Sequence, residues 1–248
     1  MDPLSVAAAS GLQTRMDSLS LLANNLANAG TSGYKSDREF YGVFTSSNAD
    51  DPAGGGDFLS ALPVVNKQWT DFSQGTLQTT GSPLDIALSG RGFLAVNGPG
   101  GELYTRNGSL RVAPDGELIT GEGYKLRSVG GSTITVSAGS PIEIAKDGTV
   151  SQNGQSLGQI EIVDFKSTDS LKKMSGAVFQ NTDLKNKPVA ATDVEVQQGR
   201  TEGSNVVVPE SAMRLVGMMR QFEMLQKAVT LNANMNQKAV SEVARIPT

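Results

Sequence analysis

The side chains that most often carry acid–base and metal chemistry are missing from this sequence. Its 248 residues include no histidine and no cysteine. A Ser-His-Asp triad, a histidine general base and the usual zinc ligand sets are therefore excluded. Disulfides and thiol chemistry are excluded as well. Any enzyme built on this chain would have to work with carboxylates, Lys, Tyr or Ser. A pair of carboxylates for glycoside hydrolysis is the one such arrangement worth weighing. Most Asp and Glu, however, stand beside glycines in turns or on the polar side of alternating runs. Those are solvated positions, and no pair stands out as catalytic.

Three further stretches have a chemical reading and a structural one. Gly90-Arg91-Gly92-Phe93 resembles the start of a dinucleotide fingerprint, but the third glycine is replaced by Ala95 and strand pattern follows instead of helix. A turn or bulge between strands is the better reading. Asp50, Asp51 and Asp57 flank a glycine run without the spacing or closing Glu of a calcium loop, so they read as a solvated linker. Asn107-Gly108-Ser109 matches a glycosylation acceptor but reads as a turn between strands. No metal or cofactor is expected.

The elements that would position any site come next. From Ala9, apolar residues fall at Leu12, Met16, Leu19, Ala23 and Leu26, steps of 4, 3, 4 and 3, which make a helical stripe. Gly30 and Gly33 end it. Near the other end Leu215, Met218, Phe222, Leu225, Val229, Asn232, Asn236, Ala239 and Val243 keep a heptad register, with Pro209 and Glu210 suited to its first turn. Met213, Met218, Met219 and Met224 cluster on this helix, either filling a core or adapting to related partner surfaces.

The middle of the chain is different. Pro-Gly-Gly at 99–101, Pro-Asp-Gly at 114–116, Lys-Asp-Gly at 146–148 and Gln-Asn-Gly at 152–154 are hairpin signals. Between them lie short alternating runs at 84–88, 93–96, 134–136, 142–144 and 160–163. The expected fold is therefore mixed α and β: N- and C-terminal helices pairing as a coiled coil, with a central all-β antiparallel domain of sandwich or barrel type. The expected organisation is an N-terminal helix in 1–35, a linker or extended segment in 36–71, a β domain in 72–206 and a C-terminal helix in 207–248.

Charge fits this division. Residues 36–206 hold 14 Lys or Arg against 20 Asp or Glu, a net of −6, and 207–248 hold five basic and three acidic residues, a net of +2. The overall charge of −4 argues against nucleic acid as the main partner. No apolar run is long enough to cross a bilayer as a helix, and no cleavable secretory signal is expected.

Several stretches together resemble the bacterial flagellar rod and hook axial proteins. Leu22-Ala23-Asn24-Asn25-Leu26-Ala27-Asn28-Ala29-Gly30-Thr31-Ser32-Gly33-Tyr34-Lys35 resembles their N-terminal signature. Gln74-Gly75-Thr76-Leu77, followed by Thr80-Gly81-Ser82-Pro83-Leu84-Asp85, is similar to their Q-G-x-L…P-L-D segment. Gly90-Arg91-Gly92-Phe93 and Tyr104-Thr105-Arg106-Asn107-Gly108-Ser109 follow in the same order. Thr201-Glu202-Gly203-Ser204-Asn205-Val206 resembles the family's L-E-x-S-N-V segment, with Gly203 at a position where many members place another small residue.

The resemblance implies a non-enzymatic structural subunit of the basal-body rod. Such subunits leave the cell through the flagellar type III export apparatus without a cleaved signal, and stack helically with copies of themselves and other axial proteins. The rod spans the periplasm and transmits torque for motility. No nucleic acid and no membrane insertion are implied. Region 40–71 is Gly- and Ser-rich and lacks the longer pattern typical of the distal rod subunit. The resemblance therefore points to the proximal rod, with the distal rod second.

The expected subunit interface consists of Leu12, Met16, Leu19, Asn24, Asn25, Leu26 and Asn28 with Leu215, Met218, Phe222, Leu225, Val229, Asn232 and Asn236. Leu12, Met16, Leu19 and Leu26 are expected to pack on Leu215, Phe222, Leu225 and Val229. The asparagines would set the stagger between neighbours, as a polar residue in a helical seam fixes register. Gly30, Gly33, Tyr34, Gly75, Pro83, Leu84, Asp85, Gly90, Gly92, Gly203, Ser204 and Asn205 are the family-motif and turn positions. The rivals are a secreted β-domain adhesin or glycan binder, which would need a concave aromatic face, and a carboxylate-only cell-wall hydrolase.

Overall fold

A computed structural model describes residues 3–45, 61–137 and 139–243. The chain is mixed and mostly β. In order, it forms α1 (Pro3–Ala27), β1 (Asp37–Thr45), β2 (Ala61–Thr70), β3 (Leu77–Thr79), β4 (Ile86–Gly90), β5 (Phe93–Gly98) and β6 (Gly101–Thr105). Then come β7 (Leu110–Val112), β8 (Leu118–Thr120), β9 (Lys125–Leu126), β10 (Ile142–Ile144), β11 (Thr149–Gln152), β12 (Gln155–Gln159) and β13 (Ile162–Asp164). Finally there are β14 (Leu171–Ser175), β15 (Val178–Asn181), β16 (Val189–Ala190), β17 (Val194–Gln198), β18 (Arg200–Glu202) and α2 (Val208–Val243).

These elements make two compact units. The first gathers Met1–Leu26, Asp37–Trp69 and Val207–Thr248; the second gathers Ala27–Ser36 and Thr70–Val206. The helical unit is thus assembled from three separate pieces of chain. The segment expected to be a linker, 36–71, carries β1 and β2, which pair as a two-stranded sheet. Period-two patterning is weak there, which is why no strand stands out in the sequence. The acidic glycine-rich stretch with Asp50, Asp51 and Asp57 lies outside the described residues.

In the helical unit, the face of α1 covered by the chain itself is not the apolar stripe. Thr14, Ser18, Leu22 and Asn25 are buried, spaced by 4, 4 and 3, whereas Met16 is 51 % exposed and Leu12, Leu19 and Leu26 are half-buried. The reason is the returning chain of β1. Ser18 donates to Glu39 Oε2 (2.7 Å), and the Asn25 amide both donates to the Asp37 carbonyl (2.8 Å) and accepts from the Asp37 N–H (2.9 Å). A small, polar face suits a neighbour that offers backbone groups. On α2 the heptad positions Leu215, Met218, Phe222 and Leu225 are half-buried, and Arg15 of α1 donates to the Met218 sulfur (3.4 Å).

The second unit is built from antiparallel hairpins. β14-β15-β6-β5-β9-β8-β7 form the path of a nine-stranded sheet to which β13 and β16 add. β10-β11-β12 form a smaller sheet, and β4 pairs with β17 and β3 with β18. The expected sandwich or barrel is thus a β-rich unit with one large sheet and three smaller ones. The hairpin signals sit at the turns. Gly98 pairs with Gly101 between β5 and β6, and Gln152 pairs with Gln155 across Asn153 and Gly154, both of which have positive φ. That is the twist that a two-residue turn between antiparallel strands requires.

Expected strand 134–136 is a correction. It forms only isolated bridges, at Thr133 and Thr135, although Ile134 and Val136 are buried. Its backbone is satisfied one bond at a time, by Leu118 N–H on the Ile134 carbonyl (3.0 Å) and Val136 N–H on the Gly116 carbonyl (2.8 Å). The core has two clusters. One is aliphatic and centred on residues such as Leu94, Leu118, Leu126 and Val178; the other is aromatic, with Phe93, Tyr104, Phe165 and Phe179. Ring pairs at 4.9–6.1 Å in edge-on or tilted contact hold the aromatic cluster together.

Candidate functional site

Residues from several of the motifs converge within the second unit. Glu202, the last residue of β18, is the centre. β18 pairs with β3 with Glu202 opposite Leu77, which turns the carboxylate inward. Its Oε1 accepts from Lys35 Nζ (2.6 Å) and from the Gly75 N–H (2.9 Å); its Oε2 accepts from Arg106 (3.2 Å). The Glu202 carbonyl accepts from the Gly33 N–H (2.7 Å). Side chains of Lys35 and Glu202 are both 0 % exposed, and that of Arg106 is 5 %.

This is a buried carboxylate between two buried cations. Burial pulls the Lys35 ammonium below its usual range, and the Glu202 charge and hydrogen bond oppose that pull. The same balance holds for Arg106, lowered chiefly by burial and supported by Glu202. The remaining donors are mostly matched. Lys35 Nζ also donates to the Ser73 carbonyl (2.7 Å), and Arg106 donates to the Gly90 carbonyl (2.7 Å) and stands over the Phe93 ring. Arg106 Nε alone has no partner.

A second hub lies three residues on. The Asn205 side chain accepts from the Ser36 N–H (2.7 Å) and donates to the carbonyls of Asp71 (2.7 Å) and Ser73 (3.2 Å). Asp71 N–H donates to the Ser36 carbonyl (2.8 Å), and Asn205 N–H to the Tyr34 carbonyl (3.4 Å). Tyr34 is fully buried under Lys173, whose ammonium lies 4.1 Å from the ring centroid and donates to the Lys35 carbonyl (2.6 Å). Ser204 Oγ accepts from the Val206 N–H (3.2 Å).

Glycines permit these approaches. Gly33 has φ +70°, and a Cβ there would lie 2.3 Å from Asn107 N. A Cβ on Gly75 would lie 2.0 Å from the Gly203 carbonyl oxygen, whose residue in turn donates N–H to the Thr76 carbonyl. Gly30, expected to share the turning role, has open space around it and an ordinary φ. Gly90 and Gly92 turn the chain between β4 and β5 with positive φ, as the turn reading of that stretch requires.

Pro83, Leu84 and Asp85 make a separate node. Asp85 Oδ1 accepts from Ser109 Oγ (3.0 Å), the Pro83 carbonyl accepts from Gln198 (2.8 Å), and the Leu84 carbonyl accepts from the Leu110 N–H (3.1 Å). Asn107 caps the same turn, its Oδ1 accepting from the Ser109 N–H (3.1 Å), while a Cβ on Gly108 would lie 1.8 Å from the Ile86 oxygen. The Asn107-Gly108-Ser109 turn is thus built by an asparagine side chain and a close backbone approach.

Of the expected interface residues, Leu215, Met218, Phe222 and Leu225 are half-buried and Val229 is exposed. Asn25 is committed to Asp37 within its own chain, and Asn28 accepts from Thr31 Oγ1 (3.3 Å). Asn24 is exposed. The side chains of Asn232 and Asn236 lie outside the described residues. Lys35, Arg106 and Glu202 were absent from the expected site residues. The available signal is one charged residue inside each of three separate motifs.

Among the described residues, Trp69 is the only aromatic among the exposed large apolar side chains. The concave aromatic face that a glycan binder needs is not formed by these residues.

Comparison with known proteins gives the family. Residues 7–35 match the model described as flagella basal body rod protein, and residues 87–152 match the flagellar hook protein FlgE/F/G D1 domain. The chain is 31 % identical over 231 residues to the flagellar basal-body rod protein FlgF of Caulobacter vibrioides, covering 92 % of each. It is 30 % identical over 245 residues to FlgF of Salmonella typhimurium, covering 93 % of this chain and 94 % of the relative. It is 28 % identical over 252 residues to the rod protein FlgG of Buchnera aphidicola subsp. Acyrthosiphon pisum, covering 92 % and 95 %. With the signature motifs present and relatives of at least 30 % identity covering more than nine-tenths of it, the chain belongs to the flagellar basal-body rod proteins, structural subunits of the flagellum.

Proposed function

We propose that this subunit belongs to the proximal part of the rod, of the FlgF type, and stacks helically with its neighbours to pass torque along the shaft. The observation that carries the stacking is the surface of α2. Leu215, Met218, Phe222 and Leu225 line one side and are half-buried, while Met213, Val216, Met224, Leu231 and Met235 line the opposite side and are 50–71 % exposed. A helix apolar on opposite sides is suited to lie between two others. In this reading α1 and α2 pair as a coiled coil through Leu12, Met16, Leu19 and Leu26 on one helix and the half-buried stripe on the other. The exposed stripe then meets copies of the chain or other axial proteins. Asn24, Asn232 and Asn236 are the candidates for setting stagger.

The proximal position rests on the short Gly- and Ser-rich region 40–71, and relatives named FlgF at 31 % and 30 % identity agree with it. A distal, FlgG-type position is the second reading, favoured by relatives of that name at 26–29 % identity. Export through the flagellar type III apparatus belongs to the same proposal. The test replaces Met224 and Leu231 together with Lys. Rods should fail to form while the β unit stays folded, read by motility and by circular dichroism of the purified chain. Rods of normal length from this variant would overturn the stacking surface. Locating a tagged copy in images of the basal body decides between the proximal and distal positions.

A further inference from the structure

We propose that residues 33–36, 71–75 and 202–205 form one cooperative clasp, closed by Glu202 and Asn205, whose three segments open together or not at all. It is a property of a single chain and does not depend on the place of the subunit in the rod. The second unit meets the first at four points along the chain, between residues 26 and 27, 36 and 37, 69 and 70, and 206 and 207. Three of these four lie within two residues of Ser36, Asp71 or Asn205, which are bonded to one another. One asparagine side chain therefore gathers three passages of the chain.

The hydrogen bonds form closed circuits. Five backbone donors, on Gly33, Ser36, Asp71, Gly75 and Asn205, each find their acceptor in another of the three segments. Withdrawing any one segment leaves buried donors or acceptors without partners on the other two, and such groups are costly. The charges sharpen the effect. If 202–205 leaves, Lys35 and Arg106 lose the carboxylate that both are bonded to, while Tyr34 and Lys35 remain held by Lys173. A buried ammonium without a counter-charge is strongly disfavoured, so a half-open clasp is the least stable arrangement. Complete opening instead gives the Lys35 ammonium and the Glu202 carboxylate to water together. This is the condition for a two-state element.

Native-state hydrogen exchange on the full chain tests this. The amides of Gly33, Ser36, Asp71, Gly75 and Asn205 should exchange with one shared protection in the unaltered protein. In Asn205→Ala all five should accelerate by a common factor of roughly tenfold to a hundredfold, including Gly33 and Gly75, whose acceptors Asn205 does not supply. Amides of Val96 and Phe179 in the large sheet should be unchanged. Acceleration confined to Ser36 would overturn the proposal. If Asn205→Ala does not fold, Lys173→Met gives the same readout from the rim of the clasp. Equal acceleration of the five amides upholds the clasp; a change at the Lys35 neighbourhood alone refutes it.

Discussion

Lys35 and Glu202 lie 167 positions apart in sequence, yet their side chains meet at 2.6 Å with neither exposed to solvent. The pair joins the end of the N-terminal signature to the segment leading into α2. Its value is conditional. Two buried charges cost desolvation, which mutual attraction and the bonds to Ser73, Gly75 and Arg106 offset. Removing one partner takes away the offset and leaves the cost. Glu202→Leu should therefore destabilise the β-rich unit by about 3–5 kcal/mol. Adding Lys35→Met should recover part of that loss, because one stranded cation is gone. Urea denaturation of the single and double variants checks this; equal stability of the two would contradict it.

Gly33 and Gly30 should part company on substitution, although both stand in the same signature. Gly33→Ala faces a left-handed backbone and a clash with Asn107 N, so it should lose more than about 1–2 kcal/mol. Gly30→Ala meets nothing within 4 Å at an ordinary φ and should be neutral or gain up to about 1 kcal/mol. Thermal melts of the two variants side by side measure the contrast.

Tyr104 gives an alkaline signature. Its ring is buried in the aromatic cluster, and its hydroxyl donates to Glu102 (3.0 Å). Burial first, then the bond and charge of Glu102, push its ionisation above the ordinary tyrosine range. The folded chain keeps this proton when the unfolded chain gives it up, near pH ~10. The contribution is therefore complete below that pH and falls as pH rises through it. An ultraviolet titration should show Tyr104 ionising only on unfolding. Tyr104→Phe should remove that late step.

Phe222→Ala separates assembly from folding. Phe222 is half-buried on α2, in the unit that does not contain the β core. The loss, below the ~3–5 kcal/mol of a fully buried Phe→Ala change, recurs in every copy. Motility should be lost while the hairpin unit melts at the unchanged temperature. Motile cells carrying this variant would contradict it.

Legibility in the sequence followed the range of the interaction. Gln152-Asn153-Gly154 marks its hairpin because a turn is decided by its own residues, and the heptad of α2 is visible because helical spacing is local. The two candidate faces of α1 could not be ranked in this way. Leu12, Met16 and Leu19 make the more apolar side, but the side that its own chain covers is set by where β1 returns, and Asn25 and Ser18 meet it there. The clasp was harder still. A Lys, an Arg and a Glu in separate motifs look like solvated charges until the fold brings them together. The motifs themselves were readable, and only their convergence required the structure.

The bond from Asp71 N–H to the Ser36 carbonyl also bears on the length of the chain between them. Residues 37–69 leave and re-enter through a single doorway whose two posts already touch. To the β-rich unit this whole stretch is an excursion of free length. It could be shortened to a tight turn, or extended by dozens of residues, without shifting one register in the sheets behind it.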